Sequence, residues 1–264
     1  MIIIGELING MFKDVAKAID RRESDIIQHL ASEQIAAGAT ALDVSVGPYS
    51  KNPKDDMKWL VESIQKAVNV PLSLDSARAD VIDEGLKVAG SRAIINSTSA
   101  DPEKMDSIFA LAKKYKAQVI GLAMDKSGVP DDKGKRLELA ATIVAKAIDF
   151  GIKPEDLFLD PIVIPVNVAQ PQCKEVLESI RDFRMLCDPA PNTTLGLSNI
   201  SQGAGKKNRS IINRTFLTMA MACGLSSAIL DPLDKDLMDA MITAELVLNK
   251  NIYCDSFLEA YRKR

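Results

Sequence analysis

Short apolar runs alternate with longer amphipathic stretches along nearly the whole chain. Ile2-Ile3-Ile4, Ala41-Leu42, Leu72-Ser73-Leu74, Ala93-Ile94-Ile95, Gln118 to Ala123, Leu157-Phe158-Leu159, Thr193 to Leu197 and Ala228-Ile229-Leu230 read as short buried strands. Between them the apolar positions fall on one helical face. Ile27, Leu30, Ala31 and Ile35 form such a face, stopped by Gly38. Met57 to Val68, then Val81, Val88 and Ala89, give two more, and Asp101-Pro102-Glu103 opens another with an N-cap and a first-turn proline. Leu137 to Phe150, Val176 to Phe183, Ile211 to Cys223, and Leu237, Met241, Ala244 and Leu248 complete the set. A loop is expected from Gln202 to Ser210. In the tail, Tyr253, Phe257 and Tyr261 are four apart, which predicts a short terminal helix.

A strand, a helix and a parallel strand form a crossover unit, and eight such units at about 30 residues each are the arithmetic of a (β/α)8 TIM barrel. No linker or low-complexity stretch divides residues 1–264, so a single domain is expected. A doubly wound open sheet is the competing fold. It calls for a Gly-rich first turn, and no G-x-G-x-x-G follows Ile4.

Composition narrows the function. The 264 residues are 47% hydrophobic and 26% charged, which suits one sizeable core. A net charge of −3 offers no field for a polyanion, which argues against nucleic acid as a partner. The apolar start ends at Gly5-Glu6, too soon for a signal peptide or a membrane span. Cys173, Cys187, Cys223 and Cys254 form no CxxC pair and read as reduced thiols of a cytoplasmic protein. With His29 as the single histidine, a histidine zinc site or a Ser-His-Asp triad lacks raw material, and no metal site is expected.

The strands end on polar side chains. Glu6, Asp43, Asp75, Asn96, Asp160, Asn199 and Asp231 stand in or just after successive strands, where barrel enzymes build their sites. Each also has a plain reading as a cap of the next helix. Such a ring is acidic and amide-rich. It would repel phosphate, and its carboxylates are spread over too many strands for a metal motif. A neutral heterocycle with several N–H donors fits better, because carboxylates accept and an amide both donates and accepts. An aminopyrimidinone, as in pterins and folates, has that pattern.

Six segments in order carry a family resemblance: Gly5-Glu6-Leu7-Ile8-Asn9, Leu42-Asp43-Val44-Ser45-Val46-Gly47, Leu74-Asp75-Ser76, Ile95-Asn96-Ser97-Thr98, Asp160-Pro161 and Gly196-Leu197-Ser198-Asn199. The chain resembles the pterin-binding barrels. These include dihydropteroate synthase, the folate module of cobalamin-dependent methionine synthase and, over the whole length, the stand-alone methyltetrahydrofolate:corrinoid/iron–sulfur protein methyltransferases. The resemblance implies that Asp75, Asn96 and Asp160 bind the pyrimidine edge and that Asn199 reaches N5, the nitrogen that bears the methyl group. It implies that Glu6, Asn9, Asp43 and Ser198 shape the pocket and that Gln202 and Arg209 meet the aminobenzoyl-glutamate tail. Methyltetrahydrofolate and tetrahydrofolate would be substrate and product, and family members are homodimers. Corrinoid carriers hold cobalt through a histidine in an Asp-x-His-x-x-Gly motif. His29 sits in Gln28-His29-Leu30 and reads as a surface residue, so a partner corrinoid (iron–sulfur) protein would bring the corrinoid. The reverse transfer, from methylcorrinoid to tetrahydrofolate, needs the same groups. A folate-binding protein without turnover is the rival from another class.

Overall fold

In the computed structural model, which describes residues 1–89 and 92–255, the apolar runs become parallel strands and the amphipathic stretches helices. The order is β1 (Ile2–Asn9), α1 (Lys13–Arg21), α2 (Ser24–Ala36), β2 (Ala41–Ser45), α3 (Pro53–Gln65), β3 (Leu72–Asp75), α4 (Ala79–Val88), β4 (Ile94–Ser99) and α5 (Pro102–Tyr115). Then come β5 (Gln118–Leu122), α6 (Lys133–Asp149), β6 (Leu157–Asp160), α7 (Val166–Ala169), α8 (Gln172–Phe183), β7 (Asn192–Thr193), α9 (Lys206–Ala222), β8 (Ser227–Leu230) and α10 (Lys235–Val247). The strands pair in the order β7-β6-β5-β4-β3-β2-β1-β8. The two ends meet where Gly196 bridges Ile229, whose N–H donates to the Leu195 carbonyl at 2.9 Å. This is the (β/α)8 barrel that the alternation predicts.

The expected N-cap of α5 is present, with Asp101 Oδ1 accepting from the Glu103 N–H at 3.2 Å. Three features depart from the pattern. The run Lys13–Arg21 is a helix of its own; its apolar face is only Val15, Ala18 and Ile19, too narrow to stand out among its charges. The segment read as loop to Ser210 is helical from Lys206, because nothing after Gly205 breaks a helix and its Lys, Asn and Arg side chains point to water. Met219, at an apolar position of the stretch Ile211 to Cys223, is 50% exposed, while Met221 is buried. Tyr253 is exposed, and Phe257 and Tyr261, with the terminal helix they predict, lie outside the described residues.

The barrel interior changes character as it rises. Ile4, Ala41, Ile94, Ile120 and Phe158 form a small cluster of their own, packed with Leu122 and Ile229 and separate from the larger core between sheet and helices. Side chains two apart on a strand share a face. Two residues beyond Ile4, Ala41, Ile94, Phe158 and Ile229 stand Glu6, Asp43, Asn96, Asp160 and Asp231. An apolar plug thus closes the barrel below a polar layer at the carboxyl ends of the strands.

One irregularity shapes that layer. Between β1 and β2, Gly5 pairs with Leu42 but Ile8 pairs with Val44, so β1 carries one extra residue there. Ile8 consequently joins the outer core, and Asn9 falls opposite Ser45 on the inner side. Glu6 and Asn9, three apart, share the mouth, which a regular strand forbids.

Candidate active site

The mouth is built on two hydrogen-bonded groups. Asp43 lies inside the barrel at 5% exposure, and its Oδ1 accepts from Ser73 Oγ at 2.7 Å and from Asn96 Nδ2 at 3.0 Å. A carboxylate only accepts, so the Asn96 amide is oriented with its nitrogen toward Asp43 and its oxygen left over. Asp75 pairs in the ladder with both Ser45 and Asn96. On β1, the strand next to Asp43, Glu6 accepts from Ser198 Oγ at 2.6 Å, at the start of the 3-10 helix Leu197–Ser201 that follows β7.

Burial sets the charge of this layer. It pushes the Glu6 carboxyl up to about 7, with Ser198 pulling back and Asp231 adding repulsion. It raises Asp43 and Asp75 as well; Asp75 repels Asp43, while the Ser73 and Asn96 donors favour ionised Asp43. Asp160 is likewise lifted by burial to about 7, moderated by the Ile162 N–H and the nearby Arg136 guanidinium. Carboxyls that titrate near neutrality can hold or release a proton at working pH.

Asp160 ends β6 in a held turn. Its Oδ1 accepts from the Ile162 N–H at 2.7 Å, and Ile162 takes a φ of 64°, a conformation that β-branched residues resist. Arg136 of α6, fully buried, donates through Nε to the Pro161 carbonyl at 2.8 Å and through Nη2 to Gln172 Oε1 at 2.8 Å. Asn199 lies in the 3-10 helix with its side chain exposed; its Nδ2 folds within 3.0 Å of where a Cβ on Gly196 would stand. Asn9 Oδ1 accepts from the Met11 N–H at 2.9 Å, closing the loop after β1. Gln202 and Arg209 are exposed just past the 3-10 helix. Arg209 Nε donates to Ser201 Oγ at 3.3 Å, and its charge is felt at Glu6 and Asp231.

All ten expected site residues therefore stand at the carboxyl end of the barrel, with Gln202 and Arg209 at its outer edge. The plain cap reading fails for Asp75 and Asp231: the N-cap position of α4 is Arg78, and α10 is capped by the Asp234 side chain. Asp125, shortly after β5, turns into its own loop and accepts from the Ser127 N–H at 2.8 Å. The sequence reading missed Ser45, Ser73, Lys104 and Arg136. A signal for Ser73 existed: in Leu72-Ser73-Leu74-Asp75 the polar residues are two apart, so they share the inner face. Nothing local marked Lys104, whose charge reaches Asp75 from α5, or Arg136. His29 is exposed on α2, 3.3 Å from Glu33, with no tie to the mouth. No helix among the described residues is long and apolar enough to cross a membrane.

Comparison with known proteins shows the family and the fold. Residues 10–231 match the model of the pterin binding enzyme family. Methylcorrinoid:tetrahydrofolate methyltransferase of Eubacterium limosum is 30% identical, over 100% of this chain and 97% of that protein. Methionine synthase of Mycobacterium tuberculosis is 28% identical over 87% of this chain, which corresponds to 20% of that enzyme. Among solved structures, DHPS of Yersinia pestis superposes with a TM-score of 0.67 at 19% identity over 94% of each chain. A dihydropteroate synthase of Clostridium difficile gives 0.68 at 19% identity, covering 94% of this chain and 96% of that one. At those identities the two share its fold.

Proposed function

The chain belongs to the pterin-binding enzymes, as a methyltransferase, and from that premise we propose that it moves a methyl group between N5 of a tetrahydrofolate and the cobalt of a corrinoid held by a partner protein. The observation that carries this reading is the inward polar layer of Glu6, Asp43, Asp75, Asn96 and Asp160 above an apolar plug. Its inward side chains are acceptors, with Lys104, Arg136 and Arg209 acting on them only from outside the layer, which suits the N–H-bearing edge of an aminopyrimidinone better than a phosphate. Asp75 and the free oxygen of Asp160 accept from the ring and amino N–H groups. Asn96, held by one amide N–H on Asp43, presents its oxygen as an acceptor. Gln202 and Arg209 at the rim receive the aminobenzoyl-glutamate tail, where a guanidinium matches carboxylates.

The chemical difficulty lies at N5. A tertiary amine parts with its methyl group only when the departing nitrogen avoids negative charge, so N5 must gain a proton or a strong hydrogen bond. Asn199 does not titrate. It strengthens its hydrogen bond to N5 as charge develops, which is stabilisation of the transition state over the ground state. The proton comes from solvent or from the mouth carboxyls, of which Asp160 titrates near neutrality. When its carrier docks, the corrinoid supplies a soft cobalt centre to take or give the methyl group. His29, exposed on α2, does not fit the part of a cobalt ligand at the mouth, which supports a separate carrier, an iron–sulfur corrinoid protein in our reading.

The same groups serve both directions, since the transition state is shared. The full-length likeness to the E. limosum enzyme favours methylcorrinoid as donor and tetrahydrofolate as acceptor. Anaerobic assays with methyltetrahydrofolate plus free cob(I)alamin, and with methylcobalamin plus tetrahydrofolate, test the activity. Binding of folate without transfer in either assay would leave a storage or sensor protein. In Asn199→Ala we expect turnover to fall about 100-fold or more with folate affinity changed a few-fold at most. Equal small losses in both would remove Asn199 from the chemistry.

A further inference from the structure

The extra residue in β1 leaves the Leu7 N–H outside the regular ladder, on the side facing α2. Gln34 of α2 meets it: its Oε1 accepts from Leu7 N at 3.0 Å. Gln34 is fully buried between helix and sheet. Its Nε2 finds no partner among the described residues. A buried amide with an idle donor is a poor choice for packing alone, because an unsatisfied donor is costly. The approach is also built into the strand. A Cβ on Gly5 would stand 2.4 Å from Gln34 Oε1, so the oxygen reaches Leu7 through space that only glycine leaves open.

We propose that Gln34 is a positioning residue of the active site: its side-chain oxygen holds the extra residue of β1 in place, so that Glu6 and Asn9 both face the mouth. Without an acceptor there, the Leu7 N–H is stranded in the apolar layer between α2 and the sheet, and the bulge loses its reason to stay. Sliding β1 into regular register would turn one of the two side chains away. Gln34 touches no substrate and acts through the backbone, from the outer side of the barrel.

Glutamate carboxyl titration followed by 13C NMR tests this without any ligand, and folate binding tests its consequence. In Gln34→Leu we expect the Glu6 carboxyl to titrate closer to an ordinary glutamate, Leu7 amide exchange to speed up, and tetrahydrofolate to bind about tenfold more weakly. Gln34→Glu keeps an acceptor and should restore all three toward wild type. Gly5→Ala displaces the oxygen while leaving Gln34 itself intact and should reproduce the Gln34→Leu result. It carries the test should Gln34→Leu not fold. An unchanged Glu6 titration in the variants that fold overturns the proposal, even if their melting temperature falls, because packing alone would do that. The binding arm rests on the folate reading. If wild type binds no folate, that reading fails while the titration still decides the role of Gln34.

Discussion

Replacing Glu6 by Gln should make the unliganded protein more stable at alkaline pH and nearly leave it unchanged under mild acid. Burial raises the Glu6 carboxyl from its ordinary 4.5 to about 7, so between those limits the folded state holds a proton that the unfolded chain has released. Stability contributed by this group is therefore intact below about 4.5, declines as pH rises, and is lost above about 7. The gap of about 2.5 pH units, at about 1.36 kcal/mol each, bounds the penalty near 3 kcal/mol. Partial exposure of the side chain lowers the expectation to about 2 kcal/mol. Glutamine keeps the shape and can still accept from Ser198 Oγ, which now sits 2.6 Å from Glu6 Oε1, without carrying a buried charge. The assay is urea unfolding of both proteins at pH 5 and pH 8.5, comparing midpoints at equal m-values. Glu6→Gln should gain about 2 kcal/mol on wild type at pH 8.5 and about a quarter of that or less at pH 5. The same difference at both pH values, or a loss that grows with pH, would refute the claim that desolvation governs this carboxyl.

Two further outcomes follow from neighbouring contacts. Ser73→Ala removes the buried hydroxyl that donates to Asp43 Oδ1 at 2.7 Å. It should cost about 1.5–3 kcal/mol in urea unfolding at alkaline pH and less under mild acid, where Asp43 is protonated; a pH-independent loss would show that Ser73 serves packing only. Arg209→Ala, at the exposed rim, should weaken tetrahydrofolate about fivefold at low salt while leaving a pterin without the glutamate tail unaffected. Calorimetry with the two ligands separates these outcomes, and an equal loss for both would place Arg209 elsewhere.

Much of the fold was legible because each strand is a short apolar run and each helix carries one stripe. The exceptions have physical causes. At α1 the stripe is three residues wide, and the first turn of α9 is all polar, so period and composition pointed away from helix. β7 was expected to reach Leu197 but stops at Thr193, because the closing edge is completed partly by side chains: Ser226 Oγ accepts from the Thr193 N–H at 2.8 Å, and the Ser226 N–H donates to Thr193 Oγ1 at 3.1 Å. The ring of polar strand ends was legible for a sharper reason. A carboxylate ending a run such as Leu157-Phe158-Leu159 is expensive inside a barrel and stands out against it. The props behind the ring were not legible. Ser73 and Ser45 are small, and Arg136 acts from a neighbouring helix on a turn 25 residues away in sequence. Their partners are set by tertiary approach, which no local pattern encodes.

The short β7 also explains where the amide proposed for the chemistry can stand. Were the strand to continue through Asn199, that residue would be tied into the ladder between β6 and β8. Past Gly196, the last residue to bridge β8, the chain coils, and Leu197–Ser201 forms a 3-10 helix that turns Ser198 toward Glu6 and leaves Asn199 exposed. Leu197 and Ile200 on the same helix are buried, so the turn is anchored while its polar side chains stay at the surface. Gly196 supplies the remaining room, since a side chain there would press on the Asn199 amide. The carboxylates proposed to recognise the pterin are thus held on rigid strands over an apolar plug. The group assigned to the reacting nitrogen sits on the least regular seam of the barrel, on the rim where a docked corrinoid would have to arrive.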